Sequence, residues 1–242
     1  MQMVSLDWTS INPYVQIKDT RKKLFDRFFS SIRYNCPGGR LILKPATTEV
    51  IQRGIYLRKT IAMQYNYGGS WRSTNEQADK IDVTQLLDFQ DIRSKYGDAV
   101  RMRVEEPRVS FYAENESVLY DIAKNDLWAW GDSLEMVTRP RSEESRALLE
   151  SGAIITKKDI NYQYKIILRD GKFANKATIG KYLDNLGQDV KVSRAVSDML
   201  KSTNPFIWGA WFYTNDATLS TTLSLIEPGI ILNIHPVIQS NK

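Results

Sequence analysis

In the second half of the chain, two hydrophobic periods alternate in strict order, and turn residues mark each change. Residues 162–169 are rich in Tyr and Ile at strand spacing, and Asp170-Gly171 is a type I′ hairpin signal. Helical spacing follows over 176–186 and 193–201. A Trp- and Phe-rich strand follows over 206–214, then a helix capped by Asn215 or Asp216 and running to Ile226. Pro228-Gly229 turns the chain into a last strand over 230–237. Such an order of β, two helices, β, α, β builds antiparallel or mixed sheets with helices packed on one face, an α+β fold.

The middle of the chain reads the same way. Asp82 caps a helix reaching Tyr96, with Leu86, Leu87, Phe89 and Ile92 as its buried stripe. Strands over 99–104 and 108–113 meet through Glu105-Glu106-Pro107, and Asn115 caps a helix carrying Val118, Leu119 and Ile122. Residues 127–137 are irregular chain and a short strand, and a charged helix over 142–150 closes at Ser151-Gly152. That point separates an acidic subdomain, 73–150, from a second α+β subdomain, 151–242.

Residues 108–122 and 210–223 share a pattern: an apolar strand ending in Phe-Tyr (Phe111-Tyr112, Phe212-Tyr213), an Asx turn, then a Leu-containing helix start, aligned with one gap. A strand feeding an Asx-capped helix is a unit of ferredoxin-like folds, including sheets that display aromatic rings to RNA bases. Two ferredoxin-like subdomains are the finer expectation, although no motif with the Gly and aromatic spacing of an RNA-recognition domain is present.

The first segment, 1–72, reads as a basic helix followed by a β-hairpin arm. Leu24, Phe25, Phe28, Phe29 and Ile32 recur at helical spacing between Asp19 and Tyr34, opposite Lys22, Lys23 and Arg27, and Cys36-Pro37-Gly38-Gly39 breaks the helix. Residues 40–44, 50–58 and 60–67 read as strands, because β-branched and aromatic residues alternate there with polar ones. Around Gly68-Gly69, Arg58, Lys59, Tyr65, Tyr67, Trp71 and Arg72 combine rings and cations suited to stacking bases and neutralising phosphates.

Charge is distributed in blocks. Of the net +5, residues 1–72 carry +8, 73–156 carry −7, 157–201 carry +5 and 202–242 carry −1. A field this uneven concentrates polyanions at one face and repels them from another, while packing of basic against acidic segments uses the same residues differently.

One Cys and one His exclude a disulfide framework and a Cys/His zinc site. No Walker A loop, G-x-G-x-x-G, H-E-x-x-H, G-x-S-x-G or EF-hand pattern occurs. Cys36 has only Arg33 and Arg40 nearby to lower its pKa and reads as inert; His235, in a terminal strand, reads as structural. The pairs Glu105/Glu106, Asp88/Asp91 and Glu143/Glu144, and the acid-x-Lys spacings Asp170-x-Lys172 and Asp189-x-Lys191, leave a metal-dependent nuclease as the third reading. Trp130, Trp208 and Trp211 belong either to the core or to a contact patch.

No run approaches the roughly 18 apolar residues of a membrane span, and the N-terminus lacks an export signal, so a soluble cytoplasmic protein is expected. The leading reading is a non-enzymatic nucleic-acid-binding protein. Its phosphate contacts are Lys22, Lys23, Arg27, Arg58, Lys59 and Arg72, and its stacking residues are Tyr65, Tyr67 and Trp71. No cofactor or metal is expected. The second reading is a structural or assembly protein, for example a bacteriophage virion component. Its arm would embrace another copy, or a viral or host partner.

Overall fold

The computed structural model describes residues 6–64 and 79–239, and the chain divides into two compact units, Met1–Arg146 and Ala147–Lys242. In the first, β1 (Gln16–Asp19) leads to β2 (Ser30–Asn35), then helices α1 (Thr48–Gln64) and α2 (Val83–Tyr96). The antiparallel pair β3 (Val100–Glu105) and β4 (Arg108–Ala113) follows, then the short helix α3 (Glu116–Asp121) and β5 (Leu134–Arg139). The sheet runs β1-β5-β2-β4-β3, with β1 parallel to β5 and every other pair antiparallel. The division between the units falls within α4 (Glu143–Glu150).

In the second unit the order is β6 (Ile154–Thr156), β7 (Tyr164–Leu168), β8 (Gly171–Lys172), α5 (Lys176–Asn185), β9 (Val190–Val192), α6 (Arg194–Lys201), β10 (Phe206–Ile207), β11 (Trp211–Thr214), α7 (Leu219–Ile226) and β12 (Ile231–Gln239). Its sheet runs β6-β12-β7-β11-β9, again with only the first pair parallel. β8 and β10 form a separate two-stranded ribbon.

The two sheets therefore share one topology. Setting aside the parallel edge strand, each has four strands in the spatial order fourth, first, third, second, with helices after the first and third, a split β-α-β arrangement. The register also matches. Ile32 faces Phe111 in one sheet and Ile166 faces Phe212 in the other, and all four side chains are fully buried. Next along, Tyr112 faces Arg101 and Tyr213 faces Lys191. The second unit differs by the insertion of α6 between its second and third strands.

Each unit closes its own core against one face of its sheet. Leu86, Phe89 and Ile92 of α2 and Leu119 of α3 pack on Ile32, Tyr34, Val109 and Phe111. Ile179 and Leu183 of α5, Val196 and Leu200 of α6 and Leu219 and Leu223 of α7 pack on Ile166, Leu168 and Phe212. Helix starts are set locally. Asp82 accepts from the amides of Thr84 (2.8 Å) and Gln85 (3.1 Å), and Ser193 from that of Val196 (3.3 Å); the cap expected at Asn215 or Asp216 falls instead on Thr218, whose side chain makes no capping bond, and Asp216 closes the turn before it through the Thr218 amide (2.8 Å). Among the described residues no helix is long and apolar enough to cross a membrane.

The first segment departs from the sequence reading. Residues 19–34 are not a helix: the chain leaves β1, turns tightly where Leu24 pairs with Phe28, and enters β2. In β2 the inward residues are Ser30, Ile32 and Tyr34, so a period of two prevails once β4 and β5 pair on either side. Residues 48–64 are one helix rather than two strands, and 39–42 form a 3-10 turn. Over residues 48–60 of α1, Ile51 alone is fully buried, while Val50, Tyr56 and Leu57 face solvent; residues of high β propensity at exposed positions misdirected the reading. The turn expected at Asp170-Gly171 does not pair β7 with β8. Asp170 instead accepts from the Gly209 amide (2.6 Å), and Trp208-Gly209 splits the expected 206–214 strand into β10 and β11.

Candidate nucleic-acid interface

The face of the second sheet turned away from its helices carries a run of rings. Because Phe212 and Thr214 are buried, alternation along β11 sends Trp211 and Tyr213 to the opposite face, where both are half-buried. On the neighbouring strand β7 the same parity places Lys165 beside Tyr213 and Ile167 beside Trp211. Lys191 flanks Tyr213 from β9, and His235 flanks Lys165 from β12.

These side chains touch. The Tyr162 and Tyr213 rings stack at 6.4 Å and 20°, and Trp211 meets Tyr213 edge-on at 5.0 Å. The Lys165 ammonium lies 3.9 Å from the Trp211 ring centroid and 5.8 Å from that of Tyr213. The Tyr162 hydroxyl donates to the Gln188 carbonyl (3.0 Å), which fixes its ring, and His235 Nδ1 lies 2.8 Å from the Gly152 carbonyl oxygen. Partial burial pushes the Tyr213 phenol above its ordinary pKa, so it stays neutral near neutral pH. Three rings thus lie in contact on this face with the Lys165 ammonium over two of them, and Lys191 stands at the neighbouring register position.

In the first sheet the equivalent Tyr112 is covered. Phe25, from the β1–β2 connection, meets it edge-on at 4.9 Å, and the Arg101 guanidinium lies 3.9 Å from the Phe25 centroid. Phe25 and Asp26 both have positive φ (54° and 57°), so the turn that delivers this ring is held in the left-handed region.

The residues singled out in the first segment fall in separate places. Lys22 is exposed on the β1–β2 connection, Lys23 lies 5.8 Å over the Phe29 ring, and Arg27 pairs with Glu114 at 2.5 Å. On α1, Arg58 pairs with Glu106 at 2.9 Å and Lys59 with Asp79 at 2.6 Å. Tyr65, Tyr67, Trp71 and Arg72 lie outside the described residues. Arg27, Arg58 and Lys59, which the sequence grouped as one phosphate surface, thus hold three different carboxylates.

The paired carboxylates are also engaged apart. Glu105 pairs with Arg103, Glu106 accepts from the amides of Gly38 (2.7 Å) and Arg40 (3.2 Å) as well as from Arg58, and Asp88 accepts from the Trp130 indole (2.7 Å). Among the described residues no group of three His, Cys, Asp or Glu side chains could hold a metal ion. Cys36 is fully buried, and burial together with the charges of Glu106 and Asp82 pushes its thiol up to about 12.

Trp130 packs against the first core, whereas Trp208 is 54% exposed and leans on Phe206 at 6.5 Å. The ring cluster itself was missed from sequence. Its signal was the alternation in Trp211-Phe212-Tyr213-Thr214, legible only once it was known which parity faces the core. No family model, curated protein or solved structure matches the chain.

Proposed function

We propose that the chain is a non-enzymatic single-stranded nucleic-acid-binding protein. On this reading its two units are ferredoxin-like subdomains, and the open face of the second sheet is the binding surface. The observation that carries it is the contact run Tyr162, Tyr213, Trp211 with Lys165 on the central strands. Bases stack on such rings regardless of sequence, and Lys165 and Lys191 meet phosphates. Both cations lie in the segment of +5 charge. Such a protein would work in the cytoplasm.

The test is fluorescence anisotropy of a labelled single-stranded oligonucleotide against the full chain over a salt series. We expect Kd to rise steeply with salt, and Trp211→Ala with Tyr213→Ala to weaken binding by about 1–3 kcal/mol per lost stack, roughly tenfold or more. Far-ultraviolet circular dichroism should stay unchanged. Absence of binding at low salt, or a double variant that binds like the parent, refutes the reading.

A second reading, assembly with another copy or a virion protein, is favoured by Phe206, Trp208 and Leu225, which are 47%, 54% and 80% exposed. It requires a salt-resistant oligomer by light scattering whose mass falls on Trp208→Ala.

A further inference from the structure

The first unit contains a cavity of about 630 Å³ beside the edge strand β3, within the range of small-molecule sites. Its lining comes from two stretches remote in sequence, Phe25, Arg27 and Phe28 of the β1–β2 connection and Arg93, Asp98 and Arg101 of the segment running from α2 into β3, with Leu43 beside them. Three guanidinium groups therefore converge on one space, against the single carboxylate of Asp98.

Only Arg27 is neutralised, by Glu114. Among the described residues, Arg93 and Arg101 have no carboxylate partner. Arg93 donates to the Leu43 carbonyl (2.9 Å), which fixes its fork, and the Arg101 guanidinium lies 3.9 Å from the Phe25 ring centroid. Two guanidinium groups without a carboxylate on one open cleft attract an anion, and a fixed guanidinium fork matches phosphate oxygens. The Arg101 plane and the Phe25 ring, which is 36% exposed, give a planar group a stacking surface. Phe25 and Asp26 hold left-handed backbone conformations at this wall, a strain that concentrates at ligand clamps.

We propose that this cavity binds a nucleotide: one phosphate on Arg93 and Arg101, with the base against Phe25. The site is distinct from the ring cluster of the second sheet and does not depend on it. The shared chemistry, a phosphate with an attached base, is offered both by a free nucleoside monophosphate and by the 5′-phosphorylated end of a strand.

Calorimetric titration of the full chain with AMP, adenosine and inorganic phosphate tests it. The same protein is also titrated with 5′-phosphorylated and 5′-hydroxyl forms of one oligonucleotide. We expect AMP to bind more tightly than adenosine or phosphate alone. Arg101→Ala, which removes an exposed side chain, should weaken AMP about tenfold. Arg101-dependent preference for the 5′-phosphorylated strand, without AMP binding, assigns the site to a strand end. If neither probe binds, or if Arg101→Ala changes neither, the proposal falls, whatever the second sheet does.

Discussion

Tyr34 is fully buried between Phe89 and Phe111, at ring separations of 5.1 and 6.3 Å, and its hydroxyl has no hydrogen-bond partner among the described residues. Burial raises its pKa well above that of a free tyrosine, so the group stays neutral at any ordinary pH. An unpaired buried hydroxyl carries a desolvation cost and returns nothing for it. Tyr34→Phe should therefore be neutral or stabilising by about 1–2 kcal/mol in urea unfolding; a loss of stability would show that the hydroxyl does find a partner. Side chains of this kind were legible in the sequence by type but not by partner. Arg27 finds Glu114 at a separation of 87 residues and Arg58 finds Glu106 at 48, so the pairs that divert these cations are set by the fold and not by neighbouring sequence. Cys36 is the converse case. Its expected inertness needed only the absence of an activating neighbour, and its burial supplies the rest.

The junction between helix and second strand is built the same way in both units. α2 ends at Gly97 and a 3-10 turn precedes β3; α5 is followed by Gly187 and a 3-10 turn before β9. Both glycines have positive φ, 50° and 56°, and a Cβ on either would meet nothing within 4 Å. Substitution there is thus a test of backbone conformation alone. Gly97→Ala and Gly187→Ala should each cost about 1–3 kcal/mol in urea midpoint analysis with the folded structure retained. A cost near zero would mean that the turn relaxes to another conformation. From Asp82 onward most such elements could be read, because caps and turn residues are local signals; Asp82 and Ser193 cap through amides two or three positions away. Before Asp82 the reading failed. β2 is a strand because partners on both sides saturate its backbone, and α1 is a helix with apolar residues left on its exposed side. Neither condition is visible in a local window.

The chain as a whole repeats one design. The equivalent pairs Ile32–Phe111 and Ile166–Phe212 sit at the centre of separate cores, so the units should lose cooperativity one at a time. Phe212→Ala should lower one calorimetric transition and Phe111→Ala another, each by about 3–5 kcal/mol of its own unit's stability; one transition shifted equally by both would show a single folding unit. The repeat was partly legible, since the two Phe-Tyr dipeptides that suggested it occupy one register position, but the shared strand order was not, because it rests on pairings between remote segments. The ends of these sheets also bear on how the protein behaves when crowded. β1 is exposed throughout and carries Lys18 and Asp19, β3 carries Arg101, Arg103 and Glu105, and β9 carries Lys191, so a foreign strand adding there would have to strip charge of its water. β12 is less well defended. β6 covers only its residues 237–239, and the stretch before them shows Leu232 and Ile234, 45% and 40% exposed. There the missing amide proton of Pro236 is the principal obstacle to templated growth of a cross-β ribbon.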